Sequence, residues 1–214
     1  MLFREGKKDP DIQSRPNRGM SLVELVVVLT VLGILTAVSV PYLMRYTQKY
    51  KTEDQAIKVM DLMREAGQLA LERRRTFRFE LDLNNSQRPV GRIIDQDSTQ
   101  ATAFRTKEVP LEPVNEVRMD LPPLGIIRPN PPNYANAAFT SGVWTAFFRS
   151  DGTVVTATGT PISATLFFWP PKREPYDASN LEPRPGEVRA LTIFGGSGAV
   201  RFWKHNGTAW AAWQ

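Results

Sequence analysis

Cysteine is absent from the 214 residues, and histidine occurs once, as His205. Without cysteine the chain has no disulfide, no thiolate nucleophile and no cysteine-ligated zinc. One histidine cannot build a histidine-rich metal site, and no nucleophile–base pair or glycine-rich phosphate loop stands out in the sequence. We therefore expect no metal site, no cofactor and no enzymatic activity, while the sequence leaves calcium binding by the loops open. An anchored enzyme with an all-β extracytoplasmic domain is kept as an alternative, since dispersed sites leave no sequence motif.

Charged residues are missing from the 20 residues between Leu25 and Met44. As a helix at about 1.5 Å per residue, this run spans roughly 30 Å, the thickness of a bilayer's hydrocarbon core. The polar residues 1–19 before it carry five Lys or Arg residues and two prolines. We interpret residues 1–19 as a cytoplasmic leader peptide and residues 20–44 as a transmembrane helix.

A helical pattern of apolar residues continues beyond the uncharged run. Apolar residues recur at steps of three, four and seven, while Lys, Glu, Asp and Arg occupy other positions, which predicts an amphipathic helix over residues 45–75. The predicted buried stripe consists of Tyr46, Tyr50, Ile57, Met60, Met63 and Ala70. Both helical segments can form one helix, with a kink predicted at Pro41.

At Thr76 the period changes from helical to alternating, and strand patterns follow to the end of the chain. The predicted strands are 76–83, 91–95, 142–149, 153–158, 162–169, 187–194 and 198–204. Asp151-Gly152 and Gly195-Gly196 predict tight turns between strands. Seven prolines between 110 and 132 predict an extended surface loop. The aromatic residues of the strands are expected in the core or on a sheet face. Trp210 and Trp213 are expected to dock on the same domain, and the alternative is that they mark a surface that binds a partner.

The fold class is therefore α+β. It consists of a long N-terminal helix, half membrane-spanning and half amphipathic, packed on an antiparallel β-sheet or β-sandwich head over residues 76–214.

One acidic residue, Glu24, lies beside the uncharged run. A carboxylate in an apolar membrane segment is costly unless it is paired. Two ordinary explanations remain open. Ser21 and Glu24 have the spacing of a helix-capping box, where an acid also suits the helix dipole. Alternatively, the segment is a secretory signal peptide cut after Ala37-Val38-Ser39.

The segment as a whole resembles the class III signal peptide of type IV pilins and type II secretion pseudopilins. That pattern has a basic leader ending in glycine, an apolar first mature residue, glutamate at mature position five and about twenty apolar residues. Here Gly19, Met20 and Glu24 occupy these positions, and Gly33 and Pro41 match the family's helix-interior glycine and proline. Met20 stands where the family usually has phenylalanine.

This resemblance implies that prepilin peptidase cuts between Gly19 and Met20 on the cytoplasmic side and that the new amine of Met20 is N-methylated. It also implies that Glu24 of one subunit pairs with that amine on a neighbour, which sets the register of the filament. Gly33 and Pro41 are the expected sites of helix bending.

The head also resembles, more loosely, the H-type minor pseudopilins and related minor pilins, through "FRSDGTV" and the late hairpin "LTIFGGSGAVRFW". The implied protein is a structural subunit of a periplasmic filament, in type II secretion or in a type IV pilus. Its expected partners are other pilins or pseudopilins, prepilin peptidase and an inner-membrane assembly platform. It is expected in the bacterial inner membrane as a single-pass protein, with a cytoplasmic N-terminus and a periplasmic head.

The densest basic cluster of the chain contains Arg73, Arg74, Arg75 and Arg78. It is explained either as the solvated C-terminal end of a helix, where cations suit the dipole, or as a phosphate-binding patch. The second explanation gives the alternative function of a DNA-binding minor pilin that takes part in DNA uptake.

Overall fold

The computed structural model describes residues 20–96, 104–122, 126–171 and 185–213. The predicted leader, including Gly19, lies outside the described residues. The chain divides into two compact units between Leu43 and Met44. The first unit contributes only helical residues after Met20 and Ser21, and the second contains helix and strands.

A 52-residue helix, α1, extends from Leu22 to Arg73 and covers both predicted helical segments. Ser21 caps its N-terminus, because the Ser21 hydroxyl accepts a hydrogen bond from the Glu24 amide at 3.2 Å. The Ser21 half of the predicted capping box is therefore confirmed, through the backbone amide of Glu24. Gly33 and Pro41 both lie inside α1, and bending at these positions stays a prediction.

The C-terminus of α1 closes with an Arg residue in an unusual backbone conformation. Arg74 has a φ of 53°, and the Arg75 amide donates to the Ala70 carbonyl at 3.2 Å. This is the Schellman arrangement, which usually has glycine at the left-handed position and costs an L-residue about 1 kcal/mol. The chain then turns directly into the predicted strand at Phe77.

Ten strands follow among the described residues: β1 (Phe77–Asp82), β2 (Val90–Asp95), β3 (Phe104–Pro110), β4 (Ala135–Asn136), β5 (Val143–Phe148), β6 (Val154–Val155), β7 (Ala164–Phe168), β8 (Arg189–Phe194), β9 (Ala199–His205) and β10 (Trp210–Trp213). A short 3₁₀ helix, Pro185–Glu187, precedes β8. The strands form two five-stranded sheets, ordered β3-β2-β1-β5-β6 and β10-β9-β8-β7-β4. All pairs are antiparallel except β4 with β7, which is parallel. The α+β prediction is confirmed, with this one parallel pair as a departure from a purely antiparallel head.

A single hydrophobic cluster joins the second half of α1 to both sheets. Strand β1 alternates, so that its Phe77, Phe79 and Leu81 are fully buried while the residues between them are half-exposed. The helix meets them with alanine, valine, leucine and methionine side chains, and the alanines allow close approach. The other members include Ala56, Val59, Met63, Ala66 and Ala70 of α1, Trp144, Ala146 and Phe148 of β5, and Leu166, Leu191 and Phe202 of the second sheet.

Buried charges also connect α1 to the second sheet. The Arg189 side chain in β8 is only 2 % exposed, and its guanidinium lies 3.4 Å from the Glu53 carboxylate of α1. Lys204 of β9 contacts the other Glu53 oxygen at 2.6 Å. Arg189 further donates to the carbonyls of Gly186 and Val188. Its buried charge is therefore matched by one carboxylate and two carbonyl oxygens.

The prediction of a buried stripe is wrong for two of its residues. Tyr46 and Tyr50 are 59 % and 52 % exposed, and the centres of their rings lie 4.3 Å apart. Met60, Met63 and Ala70 are buried as predicted, and burial in α1 begins at Thr52. Helical spacing shows which residues share a face, but it does not show where along a helix the packed surface begins.

The prediction of a surface loop over 110–132 is also wrong in part. In the described residues of this segment, Leu111, Val117 and Met119 are buried in the main cluster. Arg118 forms an isolated bridge with Trp169, so the segment also hydrogen-bonds to the second sheet. Prolines exclude an interior strand, but they do not exclude an irregular segment that covers the core.

The two glycine turns are confirmed. Gly152 has a φ of 81° next to Asp151, whose carboxylate accepts from the Thr153 amide at 2.9 Å. In the second turn, Gly195 allows a close backbone approach, because a Cβ there would lie 2.6 Å from the Ile162 carbonyl oxygen.

Gly195→Ala is therefore expected to lower the free energy of unfolding by about 1–3 kcal/mol, since backbone and not a flexible side chain has to move. Gly186→Ala is the matched control, because its nearest new contact is an ordinary 4.0 Å from Asn206. Urea unfolding of the detergent-solubilised chain measures both variants. Equal stability of the two would contradict the close approach at Gly195.

The C-terminal tryptophan prediction is confirmed for Trp210. Its indole nitrogen donates to the Ile127 carbonyl, and its ring contacts Phe167 and His205. These contacts add Trp210 to a second hydrophobic cluster formed by Phe167, Trp169, Val188, Ala190 and Trp203. The Trp213 side chain lies outside the described part of the structure. Among the other strand aromatics, Phe194 is 45 % exposed and stacks on Tyr134.

Candidate processing and assembly site

The described part of the predicted site starts at Met20, since Gly19 lies outside the described residues. Met20 is 61 % exposed and directly precedes the cap residue Ser21. Leu25 donates its amide to the Ser21 carbonyl at 3.1 Å, so the first turn of α1 is closed within five residues of Met20. The cap therefore fixes where the helix begins relative to the predicted new N-terminus.

Glu24 lies in this first turn, at the positive end of the helix dipole. Its side chain is exposed, and the residues that follow are exposed and apolar. Within the described ranges, the structure gives the Glu24 carboxylate no ion pair. The capping hydrogen bond uses the Glu24 amide and leaves the carboxylate available for a partner outside the chain.

The residues from Leu22 to Val40 qualify as one candidate membrane span, with a mean hydropathy of 2.5 and none of this surface buried inside the protein. The hydroxyl groups of its two threonines are hydrogen-bonded within the helix. Thr30 donates to the Val26 carbonyl at 2.8 Å, and Thr36 donates to the Leu32 carbonyl at 2.7 Å. Thr30 and Thr36 therefore add little polarity to the apolar surface, whereas Glu24 adds a charge.

A charged first turn is thus followed by a helix that is long and apolar enough to cross a membrane. Residues 14–40 match the family model described as the prokaryotic N-terminal methylation motif. The matched stretch includes Gly19, Met20 and Glu24. The comparisons with curated proteins and with solved structures gave no match.

The methylation motif supports the type IV pilin and pseudopilin family, and with it a chain that is processed by prepilin peptidase and assembles with other pilins. The motif and the apolar helix also support single-pass membrane anchoring. The match covers the anchor and not the β-rich head. The roles of Gly19, Met20 and Glu24 in this chain, and of bending at Gly33 and Pro41, stay predictions.

The arginine cluster sits at the end of α1 and the start of β1. Arg73 is the last helical residue, and its guanidinium carbon lies 5.9 Å from the centre of the Phe77 ring. Arg74 occupies the left-handed position of the helix cap. Both positions agree with the explanation of the cluster as a helix C-terminus, where cations suit the dipole.

The other two arginines of the cluster have acidic neighbours. Arg75 lies 3.5 Å from the buried Asp95 carboxylate, and Arg78 lies 3.4 Å from the Glu80 carboxylate. Carboxylates at these distances offset part of the positive charge that a phosphate backbone would need. DNA binding through the four arginines stays a prediction, which no contact in the described residues favours.

The described part of the second unit includes surface cavities, two of which are similar in volume. One, of about 510 Å³, is lined by β4, β5 and the residues between β6 and β7, and no charged side chain lines it. The other, of about 490 Å³, includes Arg128, His205 and Trp210 in its walls. In the part of the chain that the structure describes, no group of three or more His, Asp or Glu side chains could hold a metal ion.

Proposed function

We propose that the chain is a minor pilin or pseudopilin, a structural and non-catalytic subunit of a periplasmic filament that serves type II secretion or a type IV pilus. The observation that carries the proposal is the methylation motif over residues 14–40, which ends in an apolar helix whose surface is exposed from Leu22 to Val40. A helix with this surface needs either lipid or other apolar helices around it.

The proposed mechanism is mechanical. Prepilin peptidase removes residues 1–19, and the new Met20 amine is methylated but keeps its positive charge. The subunit waits in the inner membrane with its head in the periplasm, an orientation that the basic leader supports. On assembly, Glu24 pairs with the Met20 amine of a neighbouring subunit. This pair fixes the axial register of helices whose Leu and Val surfaces would otherwise slide.

The loosely matching head motifs support a minor role, in which the subunit primes or caps a filament. The head presents no long run of charge and no metal cluster among its described residues, and we propose that its work is contact with other subunits. The proposal therefore needs the anchor to be processed and the head to remain attached to it.

The test is the intact mass and N-terminal sequence of the protein extracted from membranes. The expected chain begins at Met20 and is heavier than the unmodified sequence by one methyl group. In cells that lack prepilin peptidase, the leader should remain and the methyl group should be missing. A mature chain that begins at Val40 would show ordinary secretion instead, and the filament proposal would fail.

A further inference from the structure

Among the described residues, the two sheets of the head have four edges, which differ in how they are protected against pairing with another strand. Strand β3 carries Lys107, Glu108 and Pro110, and its register with β2 is interrupted between Ile93 and Ile94. Strands β4 and β6 are each only two residues long. Charges, prolines, bulges and short length are the usual ways in which proteins protect sheet edges.

The fourth edge, β10, has no charge, proline or bulge, and with four residues it is twice as long as β4 or β6. Its sequence, Trp-Ala-Ala-Trp, contains no charge and no proline, and all four residues pair regularly with β9. Among the described residues, no strand pairs with its outer side. An uncharged, regular edge of this kind is a template for a further strand.

The hairpin between β9 and β10 shows which backbone groups point outward. The backbone amide of Asn206 donates a hydrogen bond to the Ala209 carbonyl at 3.0 Å and closes the turn. Hydrogen-bonded pairs alternate along an antiparallel ladder, so the next such pairs are Lys204 with Ala211 and Phe202 with Trp213. The amides and carbonyls of Trp210 and Ala212 therefore point away from β9.

The edge is also held in place. The Trp210 ring lies 4.9 Å from the His205 ring and 6.0 Å from the Phe167 ring, and its indole nitrogen is hydrogen-bonded to Ile127. Ala211 and Ala212 are exposed. A strand that is already ordered on one side loses little conformational entropy when a partner adds to the other side.

We propose that β10 pairs antiparallel with β10 of a second copy of this chain, around a two-fold axis that passes through Ala211. Trp210 then lies opposite the partner's Ala212, and Ala212 lies opposite the partner's Trp210. The outward backbone groups of Trp210 and Ala212 in each strand all form hydrogen bonds, which gives about four hydrogen bonds across the axis. The second sheet of one head continues into the second sheet of the other.

A second copy fits this edge because the strand is complementary to itself. Each bulky Trp210 faces a small alanine, and Ala211 meets only its own copy. A two-fold axis brings like residues together, so any charge near it would face an equal charge. An axis at Ala212 would use fewer of the outward groups within β10, with about two hydrogen bonds instead of four. The inference concerns the head alone and does not depend on the proposed function.

The absence of cysteine makes a direct test possible, because Ala211→Cys introduces the only thiol of the chain. In the proposed pairing Ala211 is a non-hydrogen-bonded pair with its own copy, at a Cα separation of about 4.5 Å, which suits a disulfide. The full-length protein in detergent should form a reducible disulfide dimer under mild oxidation.

Ala212→Cys and Thr208→Cys are the matched controls on the same hairpin. The two copies of residue 212 would lie about 8 Å apart, beyond the range of an unstrained disulfide. Because Thr208 is exposed in the turn, the dimer yield of Thr208→Cys measures disulfide formation by random collision. Dimer yield at position 211 is expected to exceed both controls about tenfold. Equal yields at all three positions, or a mixed disulfide with a different protein at position 211, would overturn the second-copy pairing.

A second variant separates edge pairing from other dimers. Ala212→Pro, added to Ala211→Cys, removes an outward amide but no hydrogen bond to β9, so the hairpin should fold. Near-ultraviolet circular dichroism of the tryptophans verifies folding, and alkylation verifies that the thiol is accessible. The disulfide dimer is expected to disappear in the folded double variant. A dimer that persists there contradicts pairing through the β10 backbone.

Discussion

Replacing Glu24 with glutamine or leucine is expected to remove the chain from assembled filaments while cleavage at Gly19 and membrane insertion continue. In the proposed filament, Glu24 faces the methylated amine of a neighbouring Met20 away from water. Removing one member of a buried ion pair leaves the other charge unpaired and costs about 3–5 kcal/mol, which corresponds to a loss of incorporation of more than about a hundredfold.

The amount of the chain in sheared filaments, relative to the amount in the membrane, measures this effect. Thr30→Val is the matched control in the same apolar segment, because the Thr30 hydroxyl is already bonded to the Val26 carbonyl and needs no partner. Intact mass shows that each variant is processed. Incorporation of Glu24→Leu at the wild-type level would remove the ion pair from the proposed mechanism.

The second large effect is expected inside the head, where Glu53→Ala should lower the free energy of unfolding by about 3 kcal/mol. Glu53 is the carboxylate that faces both Arg189 and Lys204. Without it, the Arg189 charge stays buried with only carbonyl partners, while Lys204 is one-third exposed and can hydrate. Because the carbonyls of Gly186 and Val188 still accept hydrogen bonds from Arg189, the expected loss of stability lies at the lower end of the range for broken buried ion pairs.

The adjacent residue provides the control. Asp54 pairs with Lys58 one helical turn away, and both side chains are at least 40 % exposed. Asp54→Ala should therefore change the unfolding free energy by less than about 0.5 kcal/mol. Urea unfolding at neutral pH compares the two variants with the wild type. Similar losses of unfolding free energy in Asp54→Ala and Glu53→Ala would show that the buried ion pair stabilises the head no more than an exposed one.

The contribution of Glu53 should also depend on pH. Burial raises the pKa of the Glu53 carboxyl, but the Lys204 hydrogen bond and the charges of Lys204 and Arg189 outweigh burial, and the pKa falls below its ordinary value of 4.5. Because the folded pKa is below the unfolded one, the stabilisation is complete above about pH 4.5 and is lost as the pH falls through the lowered value. The difference in unfolding free energy between the wild type and Glu53→Ala, measured by urea unfolding, should therefore become smaller in acid.

The anchor could be predicted from sequence because everything that defines it is local. The leader glycine, Glu24 and the uncharged run lie within 26 residues of each other, and the Ser21 cap joins residues three apart. Strand β1 and both glycine turns were predictable for the same reason, since alternation and turn chemistry depend on immediate neighbours. The methylation motif is likewise contained within residues 14–40.

Partners that are distant in sequence could not be predicted. Arg75 and Asp95 are 20 residues apart, and Glu53 lies 136 residues from Arg189. The arginine cluster therefore looked like a single basic patch, whereas the fold gives two of its members acidic neighbours. Strand β3, which ends in Pro110, and the short strands β4 and β10 were missed, because their pairing partners and not their own residues make them strands.

By itself, the sequence determined that the chain has an apolar anchor with one acid at its start, an amphipathic continuation and a β-rich head. Only the tertiary structure decided that Tyr46 and Tyr50 are exposed, that Leu111, Val117 and Met119 enter the core from a proline-rich segment, and that β10 is an uncharged sheet edge. The physical reason is that helix, strand and turn preferences act over a few residues. Burial and pairing depend on which distant surfaces the folded chain brings into contact.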